Sequence, residues 1–187
     1  MTQQTVNHFT ASDSIGRANS NHTKIEEFEA FTRGRLALDR SVWYSDQLMT
    51  FLATAEDTQG KFALIEAVAR RGNDPPPHIH HREEETFYVL EGEMTFSVGG
   101  ETIKATPGTM VCLPRHVAHS FVIDSEQVRM LILLTPAGFE GWFKEFGVPA
   151  PVMTLPSHVE VPYNDIQAML EAGPRYGIEF VSPKDEA

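Results

Sequence analysis

At 187 residues the chain is long enough for one domain with a real core plus extensions, and short for two. With 15 Lys and Arg against 26 Asp and Glu, its net charge of −11 disfavours nucleic-acid phosphates and anionic membrane surfaces as partners. A single cysteine, Cys112, leaves no intrachain disulfide, the first 24 residues are polar with no secretory apolar core, and no apolar run approaches a membrane span, so a cytoplasmic location is expected.

Residues 1–23 are rich in Thr, Ser, Asn and Gln without a period and read as a mobile arm, with His8 and His22 solvated. Ile25, Phe28 and Phe31 follow at three-residue spacing, as in a short helix or turn. From Val42 the texture changes to short alternating segments. Val42–Tyr44, Leu48–Thr54, Lys61–Ala69, Glu85–Leu90, Met94–Val98, Glu101–Ala105, Thr109–Leu113, His119–Ile123 and Val128–Leu134 all read as strands. Glu91-Gly92, Gly99-Gly100, Pro107-Gly108 and Pro114 punctuate them, and Gly99-Gly100 is a hairpin signal. Many short strands at this spacing predict an all-β sandwich or closed barrel. Alternation puts Glu85, Phe87 and Val89 on one face and Thr86, Tyr88 and Leu90 on the other, with His119, Phe121 and Ile123 likewise together.

After Leu134 the pattern turns helical. Phe139, Trp142, Phe143 and Phe146 stand at i, i+3, i+4 and i+7 before Gly147 and Pro149, an aromatic stripe expected to be core or a lid over the barrel. A second helix is expected at Asp165–Glu171, ended by Gly173-Pro174, with Pro149–Pro162 an extended loop and the last residues frayed. The division is an N-terminal arm (1–39), a barrel (40–135), and C-terminal helices with an extended tail (136–187).

The chemistry gathers at residues 72–123. His78, His80 and Glu85 converge just ahead of the run Phe87–Leu90, and His119 heads another apolar strand. Three imidazoles and a carboxylate suit one divalent transition ion (Fe, Mn, Ni, Co or Zn) and leave positions open for chemistry. Glu84 rivals Glu85, but Glu85 shares a face with Phe87 and Val89, where an unpaired carboxylate would be costly. His81 is expected at the rim and His116 at the mouth, Glu83 and Glu84 on a solvated acidic face, and Cys112 as a small buried hydrophobe.

Written as spacing, the first cluster is G-x5-H-x-H-x4-E-x6-G, from Gly72 through His78, His80 and Glu85 to Gly92. The second is G-x5-P-x-H-x2-H-x3-I, from Gly108 through Pro114, His116 and His119 to Ile123. This resembles the paired motifs of the cupin superfamily, whose fold is a double-stranded β-helix or jelly-roll barrel. The second motif departs at His116, where the family has Gly, and at Ile123, where it has Asn. The resemblance implies metal ligands His78, His80, Glu85 and His119, with six residues between Glu85 and Gly92 favouring Glu85 over Glu84.

Within the superfamily the chain looks most like the small single-barrel cupins that include bacterial quercetin-type (flavonol) dioxygenases. That likeness implies O2 chemistry on a phenolic or enolic small molecule, with Glu85 taking the substrate proton and Phe87, Val89, Phe121 and Ile123 supplying a dry pocket. It also implies a homodimer, with Tyr88 and Leu90 on the covered face. The alternatives are a non-catalytic metal cupin that binds or senses a small ligand, and a metal-dependent isomerase or lyase, which would need Arg or Lys inside the barrel.

Overall fold

The computed structural model describes residues 29–157 and 163–181. Its strands are β1 (Ser41–Tyr44), β2 (Gln47–Ala53), β3 (Ala63–Arg70), β4 (His78–His80), β5 (Glu84–Glu91), β6 (Met94–Val98), β7 (Glu101–Ala105), β8 (Met110–Leu113), β9 (His119–Ile123), β10 (Gln127–Thr135), β11 (Val148–Pro149) and β12 (Ile178–Phe180). They form a seven-stranded sheet in the order β11-β1-β2-β3-β10-β5-β8 and a five-stranded sheet in the order β12-β4-β9-β6-β7. The helices are α1 (Ala55–Thr58), α2 (Glu140–Phe146) and α3 (Tyr163–Tyr176). The expected all-β jelly-roll barrel is borne out, and no helix among the described residues is long and apolar enough to cross a membrane.

Period-two sequence becomes period-two burial. β3 alternates buried and half-buried residues along its whole length, as β10 does after its exposed first residue. Ile65, Phe87, Val89, Met130 and Leu134 of the larger sheet thereby meet Met94, Phe96, Phe121 and Ile123 of the smaller one in a single core. Two turns show why glycine is required where it stands. Gly99 and Gly100 have φ of 55° and 87°, the left-handed pair that a two-residue hairpin between β6 and β7 demands. Gly92 closes the first motif with φ of 83°, and a Cβ there would sit 2.4 Å from the Gln127 carbonyl oxygen.

The structure differs from the sequence reading in several places. Residues 29–34 form no helix, while the arm 1–23, His8, His22, Ile25 and Phe28 lie outside the described residues. Cys112 is exposed rather than buried, because β8 turns Val111 and Leu113 to the core and Met110 and Cys112 outward. The second helix does not stop at Gly173-Pro174. It carries Pro174 in its last turn and ends at Tyr176, before Gly177 with φ of 70°.

The tail also joins the sheets: β11 pairs with β1, and β12 pairs with β4, setting Ile178 opposite His80 and Phe180 opposite His78. The three-residue strand β4, which sequence reasoning passed over, is thus held between β9 and the tail.

Candidate metal centre

His78 and His80 lie two residues apart on β4, so both rings point to the barrel interior. His119 opens β9 and is the register partner of His78. Glu85 comes from β5 in the facing sheet, so the four side chains bridge the two layers. One donor atom from each of His78, His80, Glu85 and His119 lies within 4.8 Å of the others, and all four residues are buried. Glu85 Oε2 is 3.8 Å from His80 Nε2 and 3.6 Å from His119 Nε2. Glu84, the rival carboxylate, turns outward and accepts from Arg115 Nε at 2.6 Å.

The ring nitrogens bear on what the cluster could hold. The Nδ1 atoms of His78 and His119 lie 2.9 Å from the carbonyl oxygens of Pro76 and Val117, an arrangement that makes Nδ1 the donor and leaves Nε2 a lone pair. Among the buried polar atoms with no hydrogen-bond partner are both nitrogens of His80 and Nε2 of His119. Burial pushes His78 down to about 4, with the His119 charge adding to the effect, and burial also lowers His80. Burial opposes the charge on Glu85, yet the pull of the nearby His119, His80 and His78 rings outweighs it and holds the carboxyl below its usual range. Neutral imidazole lone pairs converging on an ionised carboxylate, in a site where such atoms are otherwise orphaned, fit a divalent cation. The buried cluster of three histidines and one glutamate could hold a metal ion.

The cluster opens onto a cavity of about 520 Å³. Of the four residues proposed for a pocket, Phe87 and Phe121 line this cavity and Val89 and Ile123 do not; one strand period farther from the centre, they are sealed in the closed core. Sequence reasoning missed most of the wall, including Tyr44, Met49, Met130 and Phe180, which come from strands far apart in the chain. The aromatic stripe is both core and lid. Phe139 meets the His80 ring edge-on at 4.3 Å, and Trp142 donates from Nε1 to the Tyr44 hydroxyl at 2.9 Å. Burial pushes the Tyr44 phenol up to about 12, so it stays protonated. Glu140 fastens this lid: its carboxylate accepts from the backbone N–H of Ala55 and of Gly138.

The remaining candidates fall at the edges. The Nδ1 atoms of His81 and His116 are 3.2 Å apart on the rim, and His81 Nε2 is 2.8 Å from Glu179. His116 has φ of 64°, the left-handed conformation that explains a glycine at this place in the motif, and its N–H donates to the carbonyl of His80. Glu83 is not solvated. It is 2% exposed, with its carboxylate beside Gly138, and burial pushes its carboxyl up to about 7.

A family model for the cupin domain matches residues 64–135. A quercetin 2,3-dioxygenase of Bacillus subtilis (strain 168) is 35% identical over 104 residues, covering 56% of this chain and 31% of that protein. A second quercetin 2,3-dioxygenase, from Aspergillus japonicus, is 30% identical over 118 residues, 59% of this chain and 34% of that one. The chain therefore spans about a third of the length of either relative. Among solved structures, ectoine synthase from P. lautus is 26% identical with a TM-score of 0.49, covering 67% of this chain and 88% of that one. Residues 64–135 match the cupin domain, and with its paired motifs and jelly-roll barrel the chain resembles the quercetin 2,3-dioxygenases at modest identity.

Proposed function

We propose that this chain is a metal-dependent dioxygenase that uses O2 on a phenolic or enolic small molecule of flavonol-like shape. One observation carries the reading: His78, His80, Glu85 and His119 converge at the end of a cavity walled by aromatic and aliphatic side chains. No Lys or Arg lines that cavity among the described residues, which favours an uncharged planar ligand over a sugar phosphate or oxo-acid and disfavours the isomerase or lyase reading. The likeness to two quercetin 2,3-dioxygenases supports the same choice.

His78, His80, His119 and Glu85 are the residues that would hold the divalent ion (Fe, Mn, Ni, Co or Zn). Bound there, the ion would supply a Lewis acid for the substrate oxyanion and a centre for O2 chemistry. The chain's own contribution is positional and acid–base. Phe87, Phe121 and Phe139 pack the ring and exclude water, and the Glu85 carboxylate accepts the hydroxyl proton as the substrate ionises. Tyr88 is 41% exposed beside Met110 at 64%, its register partner, on the outer face of the larger sheet, and this apolar pair supports a homodimer through that face. The lone Cys112 and the acidic charge are consistent with a cytoplasmic enzyme.

Metal analysis of the purified protein, joined to an oxygen-electrode screen of phenols and enols, tests the reading. About one transition ion per chain, O2 uptake with one substrate class, and loss of the ion in His80→Ala and His119→Ala are expected. A protein that neither contains nor takes up Fe, Mn, Co, Ni or Zn refutes the metal centre. One that holds the ion and binds a phenol tightly without consuming O2 is a binding or sensor module instead.

A further inference from the structure

The outer nitrogens of the three imidazoles are not treated alike. Those of His78 and His119 each meet a backbone carbonyl at 2.9 Å, so the chain itself sets their tautomers. His80 Nδ1 has no carbonyl and no hydrogen-bond partner. What faces it is the carboxylate of Glu83, with Oε2 at 3.8 Å, and that oxygen is also buried and unpartnered.

We propose that Glu83 is the positioning residue for His80: its carboxylate takes the Nδ1–H, which turns the Nε2 lone pair to the centre that His78, Glu85 and His119 complete. The inference rests on reading that cluster as a metal centre.

Nothing else nearby takes up that buried Oε2. Arg82, its neighbour in sequence, sends Nη1 to the Arg175 carbonyl, and Arg115 is engaged by Glu84. Glu140 cannot serve His80 in its place, since both of its oxygens accept from backbone N–H groups. The gap exceeds a hydrogen bond by about 1 Å, within reach of a small rotation of the carboxylate about its side-chain bonds. Metal-bound histidines are commonly backed in this way by a carboxylate or a carbonyl, and here two carbonyls and one carboxylate share the task.

The test compares wild type with Glu83→Gln, which keeps an acceptor, and Glu83→Leu, which removes it. In metal-free protein at mildly alkaline pH, nitrogen-15 NMR of the imidazoles should show His80 protonated on Nδ1 in wild type. In Glu83→Leu this should shift toward Nε2–H, with His78 and His119 unchanged. Titration with Co²⁺ should show a loss of roughly 10- to 100-fold in affinity for Glu83→Leu and a smaller one for Glu83→Gln. The melting temperature of the metal-free variants should not fall. An unchanged His80 tautomer together with wild-type Co²⁺ affinity in Glu83→Leu overturns the proposal, and so does a variant that merely melts lower. If wild type itself binds no Co²⁺, the metal-centre reading fails, and the tautomer comparison still decides whether Glu83 orients His80.

Discussion

Replacing Glu83 by Gln should stabilise the metal-free protein at alkaline pH and do little at acid pH. Glu83 is 2% exposed, and burial raises its carboxyl from 4.5 to about 7. Between those values the folded state binds more proton than the unfolded state, so the contribution of Glu83 is fully present below 4.5 and is lost as pH rises through about 7. A shift of this size corresponds to about 3 kcal/mol, which screening at the β4–β5 turn reduces to about 2. Gln keeps the shape and removes the charge. The free energy of the variant relative to wild type should therefore improve by about 2 kcal/mol between roughly pH 5 and pH 8.

Buried His78, lowered from 6.5 to about 4, acts with the opposite sign: its stabilisation is present above 6.5 and lost as pH falls toward 4. That effect is common to both proteins and drops out of the difference. Urea denaturation of chelator-treated samples at the two pH values measures it. The same difference at both pH values, or a Gln variant that is weaker at the higher one, would refute the reasoning.

Other consequences can be measured directly. Glu85→Gln should keep part of the metal but lower O2 uptake by roughly 10²-fold, whereas Glu84→Gln breaks only an exposed pair with Arg115 and should change neither activity nor stability beyond about 1 kcal/mol; metal assay and oxygen electrode compare them. Phe139→Ala removes a ring packed on His80, Trp142 and Phe143. It should cost about 2 to 3 kcal/mol in urea denaturation, below the usual range for a core Phe because one side already faces the cavity. It should also weaken binding of aromatic ligands measured by calorimetry. Light scattering at micromolar concentration should give a dimer mass for wild type and a smaller mass for Tyr88→Lys combined with Met110→Lys.

What the sequence determined by itself was local. The alternation of Glu85, Phe87 and Val89, and of His119, Phe121 and Ile123, specifies an inward face because successive strand residues must point to opposite sides, whatever the strand pairs with. The spacing of His78 and His80 puts two rings on one side of a strand for the same reason, and the glycines at 92, 99 and 100 mark backbone that only they adopt without strain. The all-β class and the candidate cluster of His78, His80, Glu85 and His119 were therefore legible in the sequence and its motifs.

The tertiary structure decided everything that depends on depth and on distant partners. Inward-facing residues are not equivalent: Phe87 and Phe121 reach the cavity, while Val89 and Ile123 close the core beneath it, and no periodicity encodes that difference. Cys112 took the outer face because the pairing of β8 with β5 set its register. Glu83 looked like part of a solvated acidic run but is buried, with Gly138, more than 50 residues downstream, beside its carboxylate. The strand that carries His78 and His80 is too short to stand alone, and its free edge is covered by Ile178–Phe180 from the far end of the chain. Local sterics are written in neighbouring residues, whereas burial is a property of whatever else arrives at the same place.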